Sequence, residues 1–237
     1  MKTILISIHP KWVKKILSGE KTMEVRKAIP KCELPFKGLI YCTKGKPNLY
    51  IPHEYNCFPL DEASQPYFAK EPTLECDYLA NGKVVAEFIV NEIQEYESEF
   101  DKDNNTYQDI QIVYRDDEED KNLTTQFVVT SIDEDSPNDC ELLKKSCLTF
   151  EEIKEYMGVG FKTFYALHVT ELKVYDKPKE LGEFKKVTHR RKYHKKGESK
   201  LERLKNSNRV VTEIITKAPQ NFVYVEERKW TKKTFIS

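Results

Sequence analysis

Gly19-Glu20-Lys21-Thr22-Met23-Glu24-Val25-Arg26 sets four charged side chains into eight positions directly behind a helix stop. From Thr22 to Arg26 polar and apolar residues alternate, which predicts a half-buried strand with Met23 and Val25 inward and Thr22, Glu24 and Arg26 on the other face. Upstream, Pro10 suits a first helical position, Trp12, Val13, Ile16 and Leu17 recur at helical spacing, and Gly19 ends the run. Residues 3–8 before it read as a strand. A lysine at the helix-strand junction, with a glutamate and an arginine two apart on one face, brings a point cation, an acceptor and a planar donor within about 7 Å. Such a set can grip a phosphate through Lys21 and Arg26, or read a base edge through Glu24 and Arg26. The alternative is that Glu24 and Arg26 pair with each other on a solvated sheet face, an interaction of about 0–1 kcal/mol.

Further along, residues 38–43 read as a strand, and residues 45–80, rich in proline and aromatics without periodicity, read as an irregular insertion. Residues 83–90 predict a central, nearly all-apolar strand with Glu87 as its embedded charge. That carboxylate needs a partner, and Lys21 or Arg26 is the candidate, the alternative being that it faces solvent. Residues 110–114 and 126–132 are β-prone and suggest a hairpin. Thr149 and Glu152 form a capping box ahead of Ile153, Tyr156 and Met157, so a second helix runs to Gly158. Residues 163–175 read as one long strand, and residues 210–216 and 221–225 as closing strands.

Charge is distributed in blocks that cancel to a net of zero. Residues 1–50 hold eleven Lys/Arg against three Glu, a net of +8. Residues 95–141 hold sixteen acids against three bases, a net of −13, and residues 183–209 hold eleven bases against three acids, again +8. The last stretch reads as a basic, mobile arm over 185–209, able to meet nucleic-acid phosphates or the chain's own acidic insertion at 97–141. The whole reads as a single domain, 1–237, with three insertions. The opening apolar run is too short for a signal-peptide core and nothing approaches a membrane span, so a cytoplasmic protein without membrane contact is expected. Cys32, Cys42, Cys57, Cys76, Cys140 and Cys147 form no CxxC pair, so free thiols are expected, with no metal and no cofactor. His189 and His194 sit among cations and make a poor metal site.

The opening stretch matches the signature G-x-K-x-x-E-x-R of the ASCH family at all four fixed positions, and the chain resembles that family in the order of its elements as well. Ser7-Ile8-His9-Pro10-Lys11, the strand around Val85-Ala86-Glu87-Phe88, Leu148-Thr149-Phe150, Phe164-Tyr165-Ala166-Leu167 and the closing stretch from Pro219 to Glu227 look like bacterial and phage-borne members. Residues 45–80, 97–141 and 185–209 lie outside the resemblance. It implies an α+β, mainly β fold, a PUA-like barrel of five to six strands with two flanking helices. It also implies a cleft between barrel and first helix that takes RNA or a nucleobase. The residues expected to bind are His9, Lys11, Lys21, Thr22, Glu24, Arg26, Tyr41, Lys44, Glu87 and Tyr165. Phe164 and Tyr224 are further candidates for stacking, and His168 for proton transfer, each with a structural role as the alternative.

Three function classes follow. The first is RNA or nucleotide binding in the cleft. The second is catalysis, since some small relatives are amidohydrolases acting on acetylated cytidine through a lysine, a threonine and a glutamate, and others are ribonucleases. Here Glu24 stands at the threonine position and the glutamate falls near Ser146, so only Lys21 matches, and Thr22 has no base placed beside it. A ribonuclease needs only Lys21, Glu24, Arg26 and His9 near one phosphate. The third is an adaptor that engages a protein partner through the acidic insertion.

Overall fold

The computed structural model describes residues 1–53, 55, 64–100, 110–114, 124–129, 141–190 and 209–227. β1 (Thr3–Ile8) leads into α1 (Pro10–Leu17), which Pro10 opens and His9 caps, its Nδ1 accepting from the Lys11 amide at 3.3 Å. Val13, Ile16 and Leu17 are the buried stripe of this helix, and Lys14 and Lys15 in its last turn complement the helix dipole. Gly19, at φ +78°, turns the chain in a conformation that a Cβ would penalise, and β2 (Met23–Arg26) follows. Then come β3 (Phe36–Cys42), β4 (Leu49–Ile51), β5 (Tyr67–Phe68), β6 (Tyr78–Leu79), β7 (Val84–Val90), β8 (Ile93–Phe100), β9 (Ile110–Tyr114) and β10 (Thr124–Val129). After α2 (Glu141–Ser146) and α3 (Phe150–Met157), the chain ends through β11 (Gly160–His168), β12 (Thr170–Lys179), β13 (Phe184–Arg190), β14 (Arg209–Ile214) and β15 (Phe222–Glu227).

These strands form a seven-stranded sheet in the order β12-β7-β3-β1-β15-β13-β14, a five-stranded sheet β10-β9-β8-β11-β2 and a small sheet β5-β4-β6. The protein is mainly β with few helices. The barrel that the sequence predicts is not closed by pairing among the described residues, because β12 and β14 edge one sheet and β10 and β2 the other. The predicted single strand over 163–175 shows why. The chain bends at Val169, whose amide donates to the Thr22 carbonyl at 2.9 Å, and Glu171 adopts φ +47°. β11 then pairs with β2 and β8, while β12 pairs with β7, so one apolar run is divided between two sheets.

Three apolar clusters hold these layers. Ile4, Ile6, Phe36, Ile40 and Phe88 pack with Val13 and Ile16 of α1 on one face of the seven-stranded sheet. Gly38 is required there, because a Cβ would lie 2.4 Å from the Phe88 ring. Met23, Val25, Tyr96 and Phe164 pack against Leu142 of α2 and Ile153 of α3. Leu5, Leu39, Tyr41, Phe184 and Val225 form the third cluster, on the reverse face of the seven-stranded sheet.

Other differences from the sequence reading are local. The described part of residues 45–80 holds three short strands, and Leu49 and Ile51 are fully buried in the first cluster, so this stretch contributes to the core. A third helix, α2, precedes the capped one; six residues are too few to show helical periodicity. The capping box at Thr149 and Glu152 forms in both directions. β9 and β10 pair antiparallel and extend the five-stranded sheet from β8. The ends of the basic segment are strands, β13 and β14, paired from Lys185–Ile214 to Arg190–Arg209, whereas residues 191–208, with His194, lie outside the described residues. Cys32, Cys42, Cys76 and Cys147 are free thiols; Cys57 and Cys140 lie outside the described residues. No described helix is long and apolar enough to cross a membrane.

Candidate functional site

β2 is buried on both faces, not one. Met23 and Val25 enter the second cluster, while Glu24 and Arg26 are only 6% and 7% exposed on the opposite side. Pairing of β2 with β11 on one flank, in the register Tyr165–Arg26 and Leu167–Glu24, fixes the strand; the Arg26 side chain reaches the Ser7 carbonyl of β1 at 2.9 Å and ties the two sheets together. Between them lies a cavity of about 220 Å³, lined by His9, Trp12, Lys21, Glu24, Arg26 and Tyr156, with Ser7 and Leu148 among its remaining walls.

Glu24 and Arg26 do pair, but inside the protein: Nη2 of Arg26 is 2.8 Å from Oε1 of Glu24. Oε2 of Glu24 faces the Lys21 ammonium at 3.4 Å. Lys21 is 2% exposed and donates to the carbonyls of Met23 at 2.8 Å and Ser146 at 2.7 Å. With Glu24 these acceptors occupy all three donors of the ammonium. Burial pushes the Lys21 pKa below its ordinary value, and the neighbouring Glu24 carboxylate only partly restores it. Two cations against one carboxylate leave the cavity floor with a surplus positive charge. Nε of Arg26 is shielded from solvent and has no hydrogen-bond partner among the described residues, a state that costs about 1–3 kcal/mol. An acceptor entering the cavity can relieve it.

The mouth is aromatic and basic. Trp12 has the ammonium groups of Lys11, Lys15 and Lys21 at 4.3, 5.9 and 5.4 Å from its ring centroid, and Lys27 lies 4.8 Å from the ring of Tyr156. Lys11 also bonds Glu152 of α3 at 2.8 Å, which fastens α1 to the helix that carries Tyr156.

Of the residues the sequence singles out, the structure brings His9, Lys21, Glu24 and Arg26 together around this cavity. Lys11 stands at its mouth. Thr22 is exposed and joined to the fold through its backbone, which links Lys145 and Val169. Tyr41 is buried in the third cluster, Lys44 is exposed and lies along Gly82, and Tyr165 packs against the first cluster. Phe164 stacks on Tyr96 at 5.3 Å within the second cluster, and Tyr224 packs on the first. His168 faces Glu92 at 3.7 Å. Glu87 is partnered by neither Lys21 nor Arg26. Its strand pairs with β3 and β12 rather than with β2, and it bonds Lys37 at 3.2 Å and the Tyr175 hydroxyl at 2.9 Å on the reverse face of the sheet. Trp12 and Tyr156, which the sequence pattern assigns only to apolar helix faces, are the cavity walls it misses. The lysines that flank Trp12 in sequence are the signal that marks it.

The model of the ASCH domain family matches residues 6–201 of the chain. The chain belongs to the ASCH domain family. No curated protein matches the ASCH chain in sequence. Among solved structures it is similar to ASCH from Zymomonas mobilis, at 15% identity over 76% of this chain and 74% of that one, with a TM-score of 0.39. Two mutant forms of the same Zymomonas mobilis protein align at 16% and 17% identity over 76% of this chain and 77% and 75% of theirs, with TM-scores of 0.38 and 0.37.

Proposed function

We propose that this ASCH chain binds RNA by taking an unstacked nucleobase into the cavity floored by Lys21, Glu24 and Arg26. The observation that carries this reading is the unsatisfied, shielded Nε of Arg26 beside a cavity that combines a cationic floor with the rings of Trp12 and Tyr156. Sequence-selective RNA recognition favours splayed-out bases held on aromatic or guanidinium faces and bonded along their polar edges. A volume of about 220 Å³ suits one base and excludes a duplex. Membership of a family generally regarded as RNA-binding points the same way.

Binding is favoured over covalent catalysis because Lys21 has no donor to spare and both oxygens of Glu24 face cations. Deacetylation of acetylated cytidine is not expected for the same reason. Ser146 does come to Lys21, but it presents a backbone carbonyl there. One observation supports phosphodiester cleavage as a second reading: His9, whose Nδ1 accepts from the Lys11 amide, lines the same cavity as Lys21, Glu24 and Arg26.

Fluorescence anisotropy of labelled single-stranded RNA tests the first reading. Trp12→Ala removes a stack of about 1–3 kcal/mol and is expected to weaken binding about 5- to 150-fold, with Arg26→Ala weakening it likewise. Unchanged affinity in both variants, each folded, removes the cavity from the account. A product ladder from RNA that persists in the wild type and vanishes in His9→Ala establishes the second reading instead.

A further inference from the structure

We propose that the reverse face of the seven-stranded sheet is a second nucleic-acid contact, a groove that follows the phosphates of a single strand; it rests on the nucleic-acid reading of the cavity. The groove has a volume of about 980 Å³ and lies over Thr3 and Leu39, on the side of the sheet opposite α1. β12 lines it with Lys173, Tyr175, Lys177 and Lys179 at alternate positions.

Four lysines, Lys37, Lys173, Lys177 and Lys179, line the groove against three carboxylates, Glu87, Asp176 and Glu227, of which Glu87 and Glu227 are engaged by its own side chains. Glu87 accepts from Tyr175 at 2.9 Å and pairs with Lys37 at 3.2 Å, and Glu227 pairs with Lys179 at 2.8 Å. Burial pushes Glu87 up, but the Tyr175 hydroxyl and Lys37 outweigh it and hold the carboxyl below its ordinary value, so it stays ionised and anchors both partners. Lys179 also lies over the Tyr175 ring at 4.4 Å. Lys173 and Lys177 are exposed, and Lys173 stands across from Glu87 and adds to the field that holds that carboxylate ionised. Across the same face, Lys186 of β13 is exposed and stands opposite Val225, a member of the third cluster. On its other side Lys186 stands opposite Glu213 of β14, so the groove's own cations are those of β12 and Lys37 of β3.

The cations are lysines, point charges without the fork that matches a single planar anion, and the groove is open rather than enclosed. Both features suit a flexible polyanion. An extended acidic peptide lying on the face would forgo the backbone pairing that holds an added strand at a sheet edge, whereas a nucleic-acid strand needs only its phosphates met.

The test uses the full chain with Lys173→Gln and Lys177→Gln combined, and measures anisotropy of a labelled oligouridylate across a salt series. Two lost phosphate contacts are expected to flatten the slope of log affinity against log salt by about 1.4, at 0.7 each, and to weaken all sequences alike. Inorganic polyphosphate is expected to displace the oligonucleotide better than polyglutamate of equal charge. A slope unchanged in the double variant, with Arg26→Ala still weakening binding, overturns the groove and leaves the cavity standing. Equal displacement by polyglutamate turns the groove into a peptide site and also overturns the proposal. Absence of oligonucleotide binding to the wild type sinks both readings.

Discussion

The cavity and the groove each set a strand glutamate between partners, Glu24 with Lys21 and Arg26, Glu87 with Lys37 and Tyr175, and the closest ionic contacts are similar at 2.8 and 3.2 Å. They differ in depth. The side chains of the first set are at most 9% exposed, whereas Glu87 and Lys37 are 21% and 30% exposed. Charges removed from water carry a desolvation cost that only complete pairing offsets, so loss of one member leaves an uncompensated buried charge. Near the surface, water and salt take over the role of a lost partner. Depth rather than distance therefore makes the cavity a rigid, pre-organised floor and the groove an adjustable electrostatic surface.

Removal of each glutamate is the strongest way to break that contrast. Glu24→Ala is expected to cost about 3–5 kcal/mol of stability, because Lys21 and Arg26 lose their shared counter-charge. Glu87→Ala is expected to cost about 1 kcal/mol or less. Urea unfolding of both variants measures the difference, and equal costs would mean that depth does not distinguish the two sites.

Alkaline pH acts on the two regions with opposite sign. Burial lowers the Lys21 pKa, so between that lowered value and its ordinary 10.5 the unfolded chain holds a proton that the folded chain has released, and stability rises with pH. Burial, then the bond to Glu87, raises the Tyr175 pKa, so above its ordinary 10.0 the folded chain keeps a proton that the unfolded chain loses, and stability falls. Cys42, buried beneath the sheet and pushed up to about 12, acts like Tyr175 from pH 9 upward. Each such group contributes a slope of up to about 1.4 kcal/mol per pH unit. Midpoints of urea unfolding between pH 8.5 and 11 are expected to fall less steeply in Tyr175→Phe and more steeply in Lys21→Met. The same slope in both variants would contradict the assignment.

The smallest effect sharpens the description of the cavity wall. Thr149→Ala deletes the cap of α3, the helix that carries Tyr156 and the Glu152 partner of Lys11. It is expected to cost about 1 kcal/mol, seen in thermal unfolding, and to weaken RNA binding less than Trp12→Ala does.

What could be read in the sequence is whatever neighbouring residues decide among themselves. Pro10 and Gly19 bound α1, Thr149 and Glu152 cap α3, and the apolar run of β7 announces itself, because φ preferences, capping bonds and periodicity act within a few residues. The spacing of Lys21, Glu24 and Arg26 likewise suffices to bring a cation, an acceptor and a fork together. Their burial was not legible, because alternation along β2 cannot reveal that Ser7 of β1 and Trp12 of α1 come to its polar face. Nor could local pattern tell that residues 163–175 divide between two sheets. That division puts β2 and β7 in different sheets and gives Glu87 to Lys37 and Tyr175. Thus the sequence by itself determined the elements and the chemistry of the motif. The tertiary structure decided the partners, the aromatic walls and the existence of two separate basic surfaces, since strand pairing and desolvation depend on residues far apart in the chain.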